Sequence, residues 1–451
     1  MAYNQKRDGN EVQLELLKRN RNQIPTLERL QMLQEKLYQK AKQEPDYKFY
    51  VLYDKVFIPY VLKESWLIVK RTNSAAGIDG QTVKDVENYG VEKYLQELSE
   101  EIRKQTYQPQ PIKRIYIPKA NGDLRPIGIG CIKDRIVQTA VKLIIEPIFE
   151  TDFSDNSFGF RPERSSKDAI GKIKENLKNG DTEIYDADLS AYFDTIPHNK
   201  LYKVLQMRIS DPRLLKLIDK FLKVPIQEEK ELKGGKNNKI GVPQGGILSP
   251  LLANIYMNLI DKIIDKPTGI FHKLGIKIVR YADDFVLMAK ELKTEALDKL
   301  KELLTRMELK INEDKTKTLN ARDETFNFLG FTFRYDKDIF GRKIKYFKVI
   351  PSEKSISKIK EKIREILHSC LHYSPCRLVE KLNELLRGWF NYFDIKGVSN
   401  PIQSKRKIRH YLQNSLYRYY NRKSQRRSSI YGQSAFEILV QKYGLINPTK
   451  Y

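Results

Sequence analysis

The segment Ile276-Lys-Ile-Val-Arg-Tyr-Ala-Asp-Asp-Phe-Val-Leu-Met-Ala289 restricts the fold more than any other stretch of the chain. Two apolar runs flank the adjacent acids Asp283 and Asp284, a pattern that predicts a β-hairpin with both carboxylates at its turn. Neighbouring carboxylates repel, and keeping both ionised costs free energy unless cations compensate. An ordinary acidic turn is also compatible with the pair, because Asp favours turns for local hydrogen-bonding reasons. A second segment, Glu183-Ile-Tyr-Asp-Ala-Asp-Leu-Ser-Ala-Tyr-Phe-Asp194, separates the two readings. It reads as a strand with Asp186 and Asp188 on one face at period two, followed by a turn toward Pro197 and His198. If that strand pairs with the hairpin, Asp188 lies beside Asp283. Three carboxylates meeting at one point make an oxygen-rich cage for hard divalent ions such as Mg²⁺.

Composition narrows the class of partner. The 451 residues carry 82 Lys+Arg against 57 Asp+Glu, a formal net charge of +25. So large a surplus points to a polyanion, most economically nucleic acid, and away from acidic small-molecule metabolism. The basic residues are concentrated late: residues 341–451 hold 24 Lys/Arg and 7 Asp/Glu. Between Asp394 and Glu437 there are ten basic residues and no acid, among them Lys405, Arg406, Lys407, Arg409, Arg422, Lys423, Arg426 and Arg427. Tyr411, Tyr417, Tyr419, Tyr420 and Tyr431 interleave with them, the mixture expected of a surface that follows phosphates and stacks on unpaired bases. Three cysteines exclude a disulfide scaffold and fit a reducing, cytoplasmic setting. No run of 18 apolar residues predicts a membrane span, and the first residues lack the apolar core of a secretory signal.

Periodicity supplies a coarse map. Thr26 is expected to cap a helix with Leu27, Leu30, Leu33 and Leu37 on one stripe, and Val61, Leu62, Trp66 and Val69 suggest another. Ile112–Pro118 reads as a strand, with Lys119–Arg125 a hairpin turn leading into a second one. Helices are expected over about 133–148, 165–178, 199–208, 212–223 and 294–309. Ser249-Pro250 predicts an N-cap and first helical proline, with a stripe of Leu252, Ile255, Tyr256, Leu259 and Ile263. Ser374-Pro375 does the same for Leu378, Leu382, Leu385, Leu386, Trp389 and Phe393. The order is helical entry, mixed middle, helical and basic end.

Eight short motifs occur in sequence order: Ala76-Gly-Ile-Asp-Gly80, Ile117-Pro-Lys with Arg125-Pro, Ser157-Phe-Gly-Phe-Arg-Pro162, Asp188-Leu-Ser-Ala-Tyr-Phe-Asp194, Val242-Pro-Gln-Gly-Gly246, Tyr281-Ala-Asp-Asp284, Leu329-Gly-Phe331 and Arg387-Gly-Trp-Phe-Asn-Tyr392. Each is weak alone. Together, from about Ser74 to the C-terminus, they resemble the group II intron reverse transcriptases, the intron-encoded maturases. The resemblance implies an α+β right-hand polymerase. Fingers and palm would cover 70–340, with an antiparallel palm sheet backed by helices; a helical thumb or maturase domain would cover 350–396. A basic helical C-terminal segment, 397–451, would bind nucleic acid, and a helical N-terminal extension, 1–69, would grip template or intron RNA.

The same resemblance implies site roles. Asp188, Asp283 and Asp284 would be the catalytic acids, and two Mg²⁺ ions would be held by Asp188, Asp283, Asp284 and the Leu189 carbonyl. Lys119 and Arg125 match the clamp on the incoming triphosphate, where phosphoryl transfer needs cations. Gln244 matches a residue that helps to seat the nucleotide. Phe193 matches an aromatic placed under the sugar, where it would clash with a ribose 2′-hydroxyl; a core phenylalanine is the other reading. Arg161 and Arg164 look like template or intron contacts and Gly330 like part of the segment that steadies the primer end, and a structural role is open for each. His368-Ser-Cys-Leu-His-Tyr-Ser-Pro-Cys376 matches no common zinc spacing and reads as helix-end and core residues.

RNA-templated DNA synthesis from dNTPs is the expected reaction, with template or intron RNA and a primer or target DNA as partners. The endonuclease domain found in some of the family is expected to be lacking. Two other readings stay compatible with the residues: a non-catalytic RNA-binding splicing cofactor, and a domesticated reverse transcriptase of phage defence or CRISPR spacer acquisition. Tyr281-Ala282 and Phe193 speak against an RNA-dependent RNA polymerase.

Overall fold

The computed structural model describes residues 24–118, 124–229, 231–337, 345–422, 430 and 433–451, with Arg422 described in its backbone alone. Among them, eleven strands form three sheets. β1 (Ile112–Pro118) and β2 (Leu124–Ile129) precede β3 (Glu183–Ala187). β4 (Ile226–Glu228) and β5 (Glu231–Lys233) precede the hairpin of β6 (Lys277–Tyr281) and β7 (Asp284–Ala289). β8 (Lys317–Asn320), β9 (Phe326–Phe328), β10 (Phe331–Lys337) and β11 (Lys345–Pro351) complete the series. The chain divides into two compact units. One takes residues 1–162, 189–266 and 298–312; the other takes 163–188, 267–297 and 313–451.

In the first unit the helix Ile132–Glu150 is the central element. Ile136, Val137, Val141, Ile144, Ile145 and Ile148 are fully buried, and helices Thr26–Gln43 and Pro59–Thr72 pack against it. Each such side chain contributes roughly 1.5–3 kcal/mol through burial. Thr26 is the first helical residue rather than the cap, Pro25 stands at the cap position, and the Thr26 hydroxyl donates to Glu64 instead. The far end of that helix is closed by Arg208, whose guanidinium donates to the carbonyls of Ala41 (2.7 Å), Glu44 (3.1 Å) and Pro45. Those carbonyls are the orphans of a helix end, and a cation suits the negative end of the helix dipole. Asp211 joins two segments in a similar way. One carboxylate oxygen caps the helix Pro212–Leu222, and the other accepts from the backbone of Leu52 (2.9 Å) and Tyr53 (2.8 Å). Burial opposes its charge, but these amide donors hold its carboxyl below the usual range.

Asp134 shows the opposite balance. It is 2% exposed, accepts from Tyr107 Oη (2.5 Å) and from the Gln110 backbone (2.9 Å), and burial pushes it up to about 6. A carboxyl that holds its proton more tightly when folded loses stabilisation as pH rises from its ordinary 3.8 to that value. Between pH 4 and 6 the wild type should therefore lose up to about 3 kcal/mol relative to Asp134→Asn. Urea unfolding of both proteins across that window checks the sign.

The helix Ser249–Asp265 starts one residue earlier than expected: Leu248 takes the cap position, and Ser249 Oγ donates to the Pro243 carbonyl. Its apolar residues are not confined to a stripe. Residues 251–258 are buried all round, whereas Ile263 is exposed and Ile260 and Ile264 are buried. The same unit holds the sheet β2-β1-β4-β5, in which β1 pairs antiparallel with β2 and parallel with β4.

In the second unit the sheet order is β6-β7-β3-β8, antiparallel throughout. The helix Ser166–Lys178 packs against β6 and β11. β9, β10 and β11 form a second sheet, with Phe326 stacked on Phe333 at 4.7 Å. Four helices, Glu353–Ser369, Pro375–Phe393, Ile402–Arg422 and Ala435–Tyr443, pack on one another in the remainder of the unit. Ser374 caps the second of them by accepting from the Arg377 backbone, and Pro375 takes its first position. No described helix is long and apolar enough to cross a membrane.

Candidate active site

The acidic residues gather at one end of the β6-β7-β3-β8 sheet. Tyr281 pairs with Asp284, so the hairpin turn consists of Ala282 and Asp283, and Asp284 is the first residue of β7. β3 runs antiparallel to β7 with Ala187 opposite Phe285. One step further sets Asp188 level with Asp284, not with Asp283 as the sequence reading had it, because the two-residue turn uses up Asp283. Asp186 pairs with Lys317 of β8, and two steps further on that side set Asp188 level with Lys315. Lys315 Nζ lies 3.2 Å from Asp188 Oδ2, and the Asp188 backbone donates to Thr316 Oγ1 at 3.3 Å.

The electrostatics match that crowding. Asp284 is pushed up to about 7 by desolvation and by the charges of Asp283, Asp188 and Asp186, with Lys315 pulling the other way. Since water reaches the Asp284 side chain, the three like charges carry the direction. Burial and then Asp188 push Asp186 up to about 6, against Lys317. Carboxylates crowded in this way are a donor set of the kind hard divalent cations bind. As the side chains stand, no group of three His, Cys, Asp or Glu among the described residues is arranged to hold a metal ion, and Lys315 supplies the countercharge at Asp188. That ion pair is solvent-exposed, so exchanging the ammonium for a metal costs little.

The residues expected around a nucleotide belong to the first unit. Gln244 Nε2 donates to Asp194 Oδ2 at 3.1 Å, and the Gln244 carbonyl accepts from Gly128 of β2 at 2.7 Å. Gly245 follows at φ +99°, where a Cβ would come within 2.3 Å of the Gly128 carbonyl, so only glycine allows this approach. Gln138 holds the next residues, its Oε1 accepting from the backbones of Ile247 (2.9 Å) and Leu248 (3.4 Å). Phe193 is half-buried, edge-on to Tyr192, and its carbonyl accepts from Val242 at 2.7 Å. Arg114, Asp194 and Gln244 line one pocket with Ile112, Ile226 and Gly241. Arg125 is exposed on β2, Leu189 is buried and bridges Ile311, and Lys119 lies outside the described residues.

Comparison with known families agrees with these motifs. Residues 117–333 match the reverse transcriptase (RNA-dependent DNA polymerase) family, and residues 356–433 match the group II intron maturase-specific domain. The chain is 34% identical over 360 residues to protein YkfC of Escherichia coli strain K12, a match spanning 72% of this chain and 93% of that protein. It is 35% identical over 233 residues to the group II intron-encoded protein LtrA of Lactococcus lactis subsp. cremoris, covering 51% of this chain and 38% of that one. The chain belongs to the group II intron reverse transcriptase/maturase family. As such it is an RNA-directed DNA polymerase. A third relative, the putative COX1/OXI3 intron 1 protein of Saccharomyces cerevisiae, is 30% identical over 278 residues, covering 61% of this chain and 31% of that protein.

Two residues expected to touch nucleic acid are placed otherwise in this reverse transcriptase. Arg161 is 7% exposed; its guanidinium lies 2.6 Å from Glu150 and donates to the carbonyls of Ser154 and Ser157 (2.7 Å). Four of its five N–H donors are used inside the protein, which points to a structural role. Lys405 is 8% exposed and bound to Asp394 (2.6 Å) and the Tyr451 carbonyl (3.2 Å). Lys407 pairs with Glu353 and Arg409 with Glu437 (3.3 Å), while both keep part of their surface in water. Arg406 is exposed, Arg164 is half-buried, and Lys423, Arg426 and Arg427 lie outside the described residues. Gly330 sits at φ +80° before β10, its carbonyl accepting from the Ser352 backbone and Ser355 Oγ, both at 2.9 Å. Lys315 and Lys317 were missed by the sequence reading. Lys317 opens β8 and Lys315 lies in the turn before it, and only the pairing of β8 with β3 brings them to Asp186 and Asp188.

Proposed function

We propose that this reverse transcriptase extends a primer 3′-OH on an RNA template with dNTPs, and that Asp188 and Asp283 are the principal ligands of two Mg²⁺ ions, joined by Asp284 and the Leu189 carbonyl. The observation that carries this reading is the meeting of Asp186, Asp188, Asp283 and Asp284 at one sheet end, where desolvation and the neighbouring charges raise the proton affinity of Asp284 and Asp186. Bound there, the ions would activate the attacking hydroxyl and stabilise the leaving pyrophosphate. The protein's own part is to present ionised oxygens at fixed positions on strands and to withdraw Lys315 from Asp188. Arg125 and Lys119 meet the triphosphate charge, and Gln244 seats the nucleotide with its amide oriented by Asp194. The division into fingers and palm (70–340), thumb (350–396), basic segment (397–451) and N-terminal extension (1–69) belongs to the same proposal. The maturase-domain match supports binding of intron RNA, with splicing assistance and use of a DNA end as primer. Primer extension on an RNA template with dNTPs and Mg²⁺ tests the reaction; absence of template-dependent product would refute it.

Phe193 is assigned as the sugar gate. Its half-buried ring packs edge-on to Tyr192, and the Val242 bond to its carbonyl holds the backbone that carries it. Phe193→Ala is expected to reduce the preference for dNTP over rNTP by about 10–200-fold, the range one packing contact can supply. Measuring kcat/KM for matched dNTP and rNTP decides it, and unchanged discrimination would return Phe193 to a packing role.

A further inference from the structure

The acidic turn has an unusual backbone. Ala282 has φ +60°, although it carries a Cβ and is 8% exposed. Non-glycine residues in that region are strained, and such strain lasts only where the surroundings enforce it. The enforcing group is a buried guanidinium. Arg280 is fully buried, two residues before Ala282, and its Nη1 donates to the Ala282 carbonyl at 2.8 Å. Arg280 pairs with Phe285 and Tyr281 with Asp284, so side-chain alternation puts Arg280 on the opposite sheet face from Asp284 and Asp188. The bond therefore draws the Ala282 carbonyl toward the buried face. In a planar trans peptide the C=O and N–H are antiparallel, so the Asp283 N–H is turned toward the acidic face. A flipped peptide would instead aim a carbonyl dipole at carboxylates that already repel one another.

We infer that Arg280 is a positioning residue that sets the orientation of the Ala282–Asp283 peptide and with it the placing of the acidic pair for catalysis. A guanidinium suits this role because it stays charged when buried and donates in fixed directions. The inference rests on the reading of Asp188, Asp283 and Asp284 as the metal-binding acids, and the test keeps the two apart.

Full-length wild type, Arg280→Gln, Arg280→Gln/Ala282→Gly and Ala282→Val are compared. Hydrogen exchange without nucleic acid or metal reads the turn directly: Arg280→Gln should raise exchange in the peptide spanning residues 281–285 while leaving β3 protected. Primer extension should show kcat reduced about 10–100-fold, as for supports of metal ligands, with KM for dNTP changed less than about twofold. Mn²⁺ binding, followed by the free-ion spin resonance signal, should weaken several-fold. Ala282→Gly, which removes the Cβ penalty, should restore part of kcat and Mn²⁺ affinity in the double variant. Ala282→Val leaves Arg280 in place and should lower kcat on its own, so the inference does not depend on Arg280→Gln folding. The inference falls if Ala282→Val has wild-type kcat, or if a folded Arg280→Gln keeps its turn protected. It also falls if loss of activity follows global unfolding with no rescue by Ala282→Gly. If wild type and Asp283→Ala bind Mn²⁺ equally, the reading of the acids fails, whatever Arg280 does.

Discussion

Asp283→Ala should leave a protein that folds and binds RNA but makes at least about 10³-fold less cDNA, the loss expected when several kcal/mol of metal-borne stabilisation disappears. The size follows from position. Asp283 is in the turn itself, next to Asp284 and one step beyond the Asp188–Asp284 level, so neither β3 nor β7 can supply a replacement oxygen at that point. Folding should be spared for an electrostatic reason: Asp283 is among the charges that raise Asp284, and removing it relieves repulsion in the metal-free protein. A thermal midpoint equal to or above that of wild type in EDTA, together with absent primer extension in Mg²⁺, is the expected pair of results. Under the proposed maturase role, intron splicing by the same variant should persist, because the maturase-specific match covers residues 356–433 and not the turn. Equal cDNA from both proteins would remove the catalytic assignment.

The hairpin and its acids could be read from the sequence because they are local. Two apolar runs and a two-residue turn require nothing from the rest of the chain, and β1, β2 and the Ser374 cap were found for the same reason. The partners of the acids are another matter. Lys315 and Lys317 reach Asp188 and Asp186 through the register of β8 against β3, a long-range pairing with no local signature. The basic segment carries less free charge than its stretch without acids suggests, because Asp394, Glu353 and Glu437, all outside that stretch, pair with Lys405, Lys407 and Arg409. A local charge count cannot see a tertiary ion pair. The all-round burial over residues 251–258 has no local signature either, because it depends on long-range partners for Asn254 and Asn258. Asn254 donates to the Gly159 carbonyl (2.7 Å) and Asn258 to that of Asp152 (3.0 Å), and both residues are buried.

Arg161 is the most consequential of these reassignments, and Arg161→Ala should destabilise the protein by about 3–5 kcal/mol. The cost comes from groups left uncompensated. Glu150 would lose a partner held at 2.6 Å, and the carbonyls of Ser154 and Ser157 would lose their guanidinium donor inside the protein. Leaving such groups buried costs more than the intact pair contributes. Arg161→Lys keeps the charge but not the fork, so it should recover only part of the loss. Nucleic-acid binding separates this account from the sequence expectation. At a temperature where both are folded, Arg161→Ala should bind RNA as wild type does, with an unchanged salt dependence. The exposed Arg406 provides the contrast. If it contacts a phosphate, Arg406→Ala should leave the unfolding midpoint in place and reduce the slope of log K against log salt by about one. An Arg161→Ala protein with wild-type stability and weakened RNA binding would reverse the assignment, because four of the five N–H donors of this guanidinium are taken by Glu150, Ser154 and Ser157.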